Sequence, residues 1–252
     1  MIHIALSTKC GDFSVKEVFQ LAKELRFDGV EYILSLNDLW TSPKKVLEYS
    51  AFYKVPVISL HQPLSLAYYA PPVLFETLLR AGRHFSAQVY TFHLCSLLHP
   101  LQPDTFPHIF LEKARRYNID VSFESNPATF PLTLLSPQTY QPHEFAAFCK
   151  HYNLPMTLDT SHIAKSKGDI VEFYTANSTR IPVLHLSDFD GHTQHLPLGM
   201  GDLPLTALLQ ALKKRCQNTT LVLELHHFPR CESPEDKIQA LKTSLLFLRK
   251  FL

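Results

Sequence analysis

Acidic residues and histidines recur at the ends of short apolar runs along this chain. The stretch Leu158-Asp159-Thr160-Ser161-His162 places a carboxylate and an imidazole three residues apart, directly after the apolar run 154–157. Similar runs end on or carry His61, His93, Glu124, His185 and Glu224. Both side-chain types bind metal ions and transfer protons. A single carboxylate at a strand end could equally be the cap of the following helix. Its recurrence at several strand ends predicts one shared chemical site.

These residues lie between regularly alternating strand and helix patterns. The predicted strands are 2–8, 30–33, 55–60, 89–92, 119–123, 156–158, 182–186 and 221–225. The helical patterns are 15–27, a segment opened by 41–43, 72–85, 104–117, 143–152, 169–176, 203–216 and 234–250. Eight strand–helix units in 252 residues, about 31 residues each, favour an α/β fold, a (β/α)8 TIM barrel forming a single domain over 1–252. A doubly wound open sheet is the alternative, but residues 7–11 lack the glycine-rich turn that holds a dinucleotide.

A closed barrel would bring four of these polar residues to one side of its mouth. The active site of such a barrel lies at the C-terminal ends of its strands. The last four predicted strands contribute Glu124, Asp159, His185 and Glu224. Three carboxylates in a confined space repel one another, so they share protons or bind a cation. Oxygen ligands with one imidazole suit Mn²⁺, Mg²⁺, Co²⁺ or Zn²⁺, which predicts a divalent metal site.

Composition limits the partners and the compartment. Lys and Arg number 24 against 23 Asp and Glu, a net charge of +1, so a nucleic-acid partner is disfavoured, although a local basic patch would fit within this balance. Five cysteines, odd in number and without a C-x-x-C pair, indicate reduced thiols and a cytoplasmic protein. Residues 1–6 lack a basic leader segment. Prolines interrupt the longest uncharged run, 55–75, so no membrane span is expected.

Several motifs resemble those of the xylose isomerase-like TIM-barrel superfamily. This group contains sugar and sugar-phosphate isomerases and epimerases, dehydratases, and endonuclease IV-like abasic-site (AP) nucleases. The resemblance extends over nearly the whole chain. It is carried by Phe27-Asp28-Gly29-Val30-Glu31, His61-x-Pro63, Glu124-x-Asn126, Asp159-x-x-His162, His185-x-x-Asp188 and the segment 195–202.

Resemblance to the epimerase branch implies a single divalent metal and two catalytic glutamates. The implied ligands are Glu124, Asp159, His185 and Glu224. Glu124 and Glu224 would remove and return a proton beside a carbonyl group, through an enediolate. The implied substrate-binding residues are His162, with His61, His93 and His195 around the substrate. Gly191 stands where those epimerases carry a substrate-binding arginine.

Resemblance to the nuclease branch implies up to three Zn²⁺ ions. The eight positions that would hold them are His61, His93, Glu124, Asp159, His162, His185, His195 and Glu224. The aspartate expected two residues before His195 is Thr193, for which Asp190 or His192 would have to substitute. Tyr68 and Tyr69 lie where a DNA-distorting loop would be expected. The neutral charge balance again argues against this function.

The leading hypothesis is a divalent-metal-dependent isomerase or epimerase acting on a small carbohydrate, a sugar acid or a related ketone. A metal-dependent dehydratase of the same family is close to it, and a zinc-dependent AP endonuclease or phosphodiesterase is the alternative from another class. A barrel that binds without catalysis is the third. We expect His226 or His227 to orient a metal ligand. Homo-oligomerisation is expected only by analogy with other barrels.

Overall fold

Eight parallel strands follow one another around a closed barrel. The computed structural model describes residues 1–67, 73–94, 106–127, 141–215 and 218–252. Strand β1 pairs with β2, each later strand pairs with the next, and β8 returns to β1 through five residue pairs. This topology confirms the predicted (β/α)8 TIM barrel.

The strands are short and almost entirely buried, because side chains fill the barrel interior and helices cover its outside. Every predicted strand boundary lies within two residues of the observed one. The strands are β1 (Ile2–Ser7), β2 (Gly29–Ile33), β3 (Val57–His61), β4 (Val89–His93), β5 (Val121–Glu124), β6 (Met156–Asp159), β7 (Val183–Leu186) and β8 (Thr219–Leu223).

Helices connect successive strands within the described ranges. They are α1 (Val15–Glu24), α2 (Lys44–Tyr53), α3 (Val73–Gly82), α4 (Phe106–Arg116), α5 (Pro142–His151), α6 (Thr160–Lys165), α7 (Ile170–Asn177), α8 (Leu205–Arg215) and α9 (Pro234–Phe251). Amphipathic spacing and capping residues explain their placement. Ser14 and Ser233, for example, form capping boxes at the starts of α1 and α9.

The helix α6 is absent from the sequence prediction, which has a single helix between β6 and β7. Its six residues are too few to produce a recognisable helical period. Asp159 ends β6 and caps α6, since its Oδ1 accepts a 2.7 Å hydrogen bond from the backbone N–H of His162. The two elements therefore meet at the candidate site.

Strand register sets the level of the polar residues. In the parallel ladder His93 pairs with Glu124, and Asp159 pairs with His185. Side chains alternate between the two faces of a strand, so Thr91, Ser122 and Thr157 lie one layer below His93, Glu124 and Asp159. Thr157 Oγ1 donates to Ser122 Oγ at 2.8 Å and lies 3.2 Å from Thr91 Oγ1. A hydroxyl layer thus underlies the candidate site.

The larger hydrophobic core is formed by the strands and the helices packed against them, and a smaller cluster contains Ala5, Ile58, Val89, Val183 and Val222. Within the described residues, every helix falls short of the length or apolarity needed to cross a bilayer. Cys10, Cys149 and Cys231 are free thiols, as expected. Cys95 and Cys216 lie outside the described residues.

Candidate active site

The residues predicted from strand ends gather at the C-terminal mouth of the barrel and are all buried. Their residue exposures do not exceed 8%. Each has an ion pair, a hydrogen bond or a ring contact with at least one other member of the group. The residues brought together are His61, His93, Glu124, Asp159, His162, His185, His195 and Glu224.

His185 lies at the centre of this cluster. Its Nδ1 is 3.3 Å from Glu124 Oε2 and 3.1 Å from Glu224 Oε2. Despite these distances, Nδ1 makes no hydrogen bond of acceptable geometry within the described residues. The ring nitrogen thus faces two carboxylate oxygens, and His185 belongs to two groups of potential metal ligands, one with Glu124 and one with Glu224.

Glu31 is a site residue that the sequence prediction missed. It lies on β2 and is completely buried. Its Oε2 accepts a 2.7 Å hydrogen bond from Ser59 Oγ and lies 3.2 Å from His185 Nε2. An imidazole that binds a metal through one nitrogen commonly donates its other N–H to a carboxylate. The only sequence signal was the position of Glu31 in the motif 27–31.

Glu124 contacts histidines with both carboxylate oxygens. Its Oε1 is 2.8 Å from His162 Nδ1, which is also 3.0 Å from the carbonyl oxygen of Ser125. Since both neighbours are acceptors, Nδ1 of His162 carries its hydrogen. On the other side, Glu124 Oε2 is 3.4 Å from His61 Nε2. His61 Nδ1 donates to the Gln62 carbonyl at 2.7 Å, so Nε2, which faces Glu124, is the ring atom of His61 that could bind a cation.

The two carboxylate oxygens of Asp159 have different surroundings: one caps a helix and the other faces the candidate site. Oδ1 caps α6 and accepts a 2.8 Å hydrogen bond from Ser161 Oγ. Oδ2 has no hydrogen-bond partner in the described part of the chain and lies 3.9 Å from His195 Nδ1. The cap and the ligand interpretations of this residue are therefore compatible.

Five histidine rings form an arc along one side of the carboxylates. The ring centroids of His61 and His93 are 5.1 Å apart, and those of His93 and His162 are 6.0 Å apart. His195 lies 5.3 Å from His162 and stacks on His226 at 4.2 Å. His226 Nε2 is 3.1 Å from Glu224 Oε1, beside the site as predicted for one of the two histidines after β8. His227 is exposed.

The buried charges of the cluster shift one another's pKa values. Burial raises the pKa of Glu124, but the imidazoles of His185, His93 and His162 outweigh burial and hold it well below its usual range. Burial likewise opposes ionisation of Glu224, yet His185 and His226 hold its pKa well below normal. Both groups are therefore carboxylates at neutral pH, as a general base must be.

The histidines divide into two electrostatic classes. Burial lowers the pKa of His93 to about 3 and that of His195 to about 4. For His162, burial is outweighed by Asp159 and Glu124, which raise its pKa to about 9. The pKa of His185 is raised well above its usual value, since Glu31, Glu124 and Glu224 outweigh its burial. The carboxylates thus attract positive charge, which a metal cation would also supply.

The donor geometry fits a divalent metal ion. Asp159, His185 and Glu224 each offer one donor atom within 4.8 Å of the others, and His61, Glu124 and His185 do the same. Buried atoms without hydrogen-bond partners in the described residues include Asp159 Oδ2 and His185 Nδ1. Buried polar atoms are rarely left unpaired unless an ion, water or ligand satisfies them. The predicted set Glu124, Asp159, His185 and Glu224 is therefore a chemically suitable ligand set.

The β7–α8 loop does not provide the substitute ligands considered for Thr193. Asp190 and His192 are exposed, and Asp190 Oδ1 accepts hydrogen bonds from the backbone N–H groups of His192 and Thr193. Gly191 adopts φ +89°, with open space where a side chain would begin. Lys165 Nζ lies 5.9 Å from the centre of the Phe189 ring. Tyr68 and Tyr69 lie outside the described residues.

Comparison with known proteins finds one family and several structural relatives. The family model described as a xylose isomerase-like TIM barrel matches residues 109–251. An uncharacterized protein of Mycobacterium leprae (strain TN) is 25% identical over 282 residues, covering 100% of this chain and 98% of the relative.

Among solved structures, the Escherichia coli 3-keto-D-glucoside 4-epimerase superposes with a TM-score of 0.71 at 17% identity, covering 99% of this chain and 100% of that one. D-psicose 3-epimerase of Clostridium cellulolyticum H10, solved with D-tagatose, gives 0.77 at 13% identity, covering 99% of each chain. A family 2 AP endonuclease of Brucella melitensis gives 0.72 at 14% identity, also covering 99% of each chain. These likenesses establish a shared fold.

Proposed function

The chain belongs to the xylose isomerase-like TIM barrel family, and we propose that it is a divalent-metal-dependent isomerase or epimerase of a small carbohydrate or related ketone. The observation that carries this proposal is that two buried carboxylates, Glu124 and Glu224, both lie within 3.3 Å of Nδ1 of the His185 imidazole. Superposable epimerases of ketoses and of a keto-glucoside support the same class of substrate.

The proposed metal ligands are Glu124, Asp159, His185 and Glu224. When bound there, Mn²⁺, Co²⁺, Mg²⁺ or Zn²⁺ would act as a Lewis acid on the substrate carbonyl. Glu31 holds the hydrogen on Nε2 of His185, which leaves Nδ1 as its donor atom. Asp159 keeps Oδ2 available because Oδ1 is committed to the cap of α6.

The chemical step assigned to the glutamates is proton transfer at the carbon beside the carbonyl. One carboxylate takes the proton, and the C–H electron pair moves into an enediolate. The other carboxyl group takes up a proton from solvent and delivers it to the opposite face of that carbon, so a C–H bond replaces the one that was broken. The first carboxyl group then releases its proton to solvent. The lowered pKa of each glutamate makes either one competent as the initial base.

The substrate-binding residues are proposed to be His61, His93, His162 and His195. With its hydrogen on Nδ1 directed to Glu124 and Ser125, His162 has Nε2 for a substrate hydroxyl. The low pKa values of His93 and His195 keep both imidazoles neutral at physiological pH. Neutral imidazoles suit hydroxyl groups, since each can donate one hydrogen bond and accept another.

A panel of ketoses, ketose phosphates and keto-glycosides with Mn²⁺, Co²⁺ or Mg²⁺ tests this function. Glu124→Gln and Glu224→Gln keep the side-chain shape but remove the base, so each should lower kcat by at least about 100-fold. Glu232→Gln, at an exposed position after β8, is the matched control and should remain active. Full activity in the Glu124→Gln, Glu224→Gln double variant would exclude the mechanism. Elimination of water from a substrate with a β-hydroxyl would identify the related dehydratase.

A zinc-dependent phosphodiesterase is the second candidate, and the additional imidazoles favour it. His61 lies with Glu124 and His185 in a separate group of potential ligands, and His93 is next to it. Two or three Zn²⁺ ions could clamp a phosphodiester. Cleavage of an abasic DNA duplex at low salt, weakening steeply as salt is raised, would support this function over carbohydrate chemistry.

A further inference from the structure

A second group of potential ligands lies beside the proposed metal site. His195, Glu224 and His226 each offer a donor atom within 4.8 Å of the others. Glu224 faces both groups, since Oε2 lies 3.1 Å from His185 Nδ1 and Oε1 lies 3.1 Å from His226 Nε2. Its carboxylate is therefore positioned to bridge two adjacent cations.

The donor atoms of this second group are unsatisfied. Within the described residues, three buried atoms have no hydrogen bond of good geometry: His195 Nδ1, His226 Nε2 and Asp159 Oδ2. Asp159 Oδ2 lies 3.9 Å from His195 Nδ1 and is a candidate fourth donor. Leaving such buried atoms unpaired is unfavourable. A cation between them would satisfy the nitrogens and the oxygens together.

The backbone brings the two imidazoles together. His195 adopts a left-handed conformation with φ +55°. Its carbonyl oxygen accepts hydrogen bonds from the N–H groups of His226 and His227, at 3.0 and 3.2 Å. Leu196, the next residue, forms an antiparallel bridge with Asp188. Because these contacts use the main chain, they position both rings before any ligand binds.

We propose that His195, His226 and Glu224 bind a second divalent cation, of the imidazole-preferring class represented by Zn²⁺ and Co²⁺, with Glu224 shared between the two sites. Nitrogen–metal distances of about 2.0–2.1 Å separate tetrahedral ligand atoms by about 3.4 Å. The donor atoms lie within 4.8 Å of one another, so ligation would require the side chains to draw together. Two imidazole ligands favour a metal ion of intermediate softness, such as Zn²⁺ or Co²⁺, at this second site. The first site has more oxygen ligands and also suits Mn²⁺ or Mg²⁺.

The competing explanation is that His226 only orients Glu224 through a hydrogen bond. His226→Gln separates the two roles, because the Gln amide can still donate to Glu224 but is a poor replacement for an imidazole ligand. His227→Gln changes the exposed neighbouring histidine and is the matched control. The inference rests on the proposed function only through the shared ligand Glu224.

The test is the number of Zn²⁺ ions bound per chain, measured by elemental analysis and by titration of chelator-treated protein, together with the visible spectrum of the Co²⁺-loaded protein. We expect wild type and His227→Gln to bind one ion more than His226→Gln, and the Co²⁺ spectrum to lose one component in His226→Gln. His195→Gln should reproduce that loss, provided its circular dichroism matches wild type. Equal stoichiometry in wild type and His226→Gln would overturn the second site but leave the proposed function intact. A chain that binds no ion would overturn both.

Discussion

The carboxylate of Glu31 lies 3.2 Å from Nε2 of His185, on the side of the imidazole away from Glu124 and Glu224. Ser59 Oγ donates to the same Glu31 oxygen at 2.7 Å and fixes its position. The pair connects β2 to β7 across the barrel interior. We infer that Glu31 sets the tautomer of His185 and directs Nδ1 into the candidate metal site.

Replacing Glu31 should weaken metal binding without removing a ligand. In Glu31→Gln the amide is neutral and holds the hydrogen on His185 Nε2 less strongly, so affinity should fall by about 10- to 100-fold. Titration of metal-free protein with Mn²⁺ or Co²⁺ measures this change. Glu48→Gln, on the exposed side of α2, should bind as wild type does. Unchanged affinity in Glu31→Gln would show that the contact is only structural.

Substitutions of Asp159 should separate its cap from its ligand role. Asn retains an oxygen that can accept from the His162 N–H, whereas Ala removes both functions. Metal-free Asp159→Asn should be more stable than Asp159→Ala by about 1 kcal/mol, the usual contribution of an N-cap, while both lose metal affinity. Urea unfolding and metal titration measure the two effects separately. Equal stability of the two variants would contradict the assigned cap.

The metal-free protein should lose stability as pH rises from about 6.5 to about 9. Burial disfavours protonated His162, but Asp159 and Glu124 outweigh it and raise the folded-state pKa from 6.5 to about 9. In this interval the folded chain holds a proton that the unfolded chain has released. One such proton makes the free energy of unfolding fall by about 1.4 kcal/mol per pH unit; the stabilisation is complete below pH 6.5 and lost above about 9.

His162→Gln should therefore reduce the slope of stability against pH by about 1.4 kcal/mol per pH unit and leave the share carried by His185, whose pKa is also raised. Urea unfolding of metal-free wild type and variant between pH 6 and 9.5 gives the two slopes. His151→Gln, at the exposed C-terminal end of α5, is the control and should keep the wild-type slope. Parallel curves for wild type and His162→Gln would show that His162 does not carry the bound proton.

Gly29→Ala should disturb β2 and, through it, the position of Glu31. A Cβ at Gly29 would lie 2.6 Å from the Pro56 carbonyl oxygen and 2.7 Å from Ile58 Cγ2. Overpacking of this kind costs about 1–3 kcal/mol. Thermal unfolding should report this loss, and metal affinity should decrease with it. Gly191→Ala, where the space is open, should cost only its backbone strain and leave metal affinity unchanged; equal metal affinity in both variants would contradict the link to Glu31.

The barrel and the strand-end residues could be predicted because both depend on local patterns. Short apolar runs alternate with amphipathic segments, and a polar residue at each strand end interrupts the apolar pattern. The same reasoning missed α6, whose six residues show no helical period. It also missed the role of Glu31, which lies within its strand and meets His185, 154 positions further along the chain, only because the barrel closes.

The histidines show a similar limit. Spacing after Glu224 indicated that His226 or His227 lies near the ligands, but only the folded chain shows which one: His226 Nε2 lies 3.1 Å from Glu224 Oε1, whereas His227 is exposed. The ligand and catalytic roles of the predicted residues remain proposals. They depend on an ion and a substrate, whose positions no pattern in the sequence specifies.

Deuterium uptake from solvent tests the central claim most directly. Metal-loaded protein is incubated in D₂O with the panel of ketoses and keto-glycosides, and the carbon beside each carbonyl is followed by NMR. We predict that at least one member incorporates deuterium at that carbon, that chelation of the metal abolishes this uptake, and that Glu124→Gln and Glu224→Gln lose it while Glu232→Gln retains it. Conversion to product without deuterium, or uptake that persists in the Glu124→Gln, Glu224→Gln double variant, would contradict proton transfer by these two carboxylates.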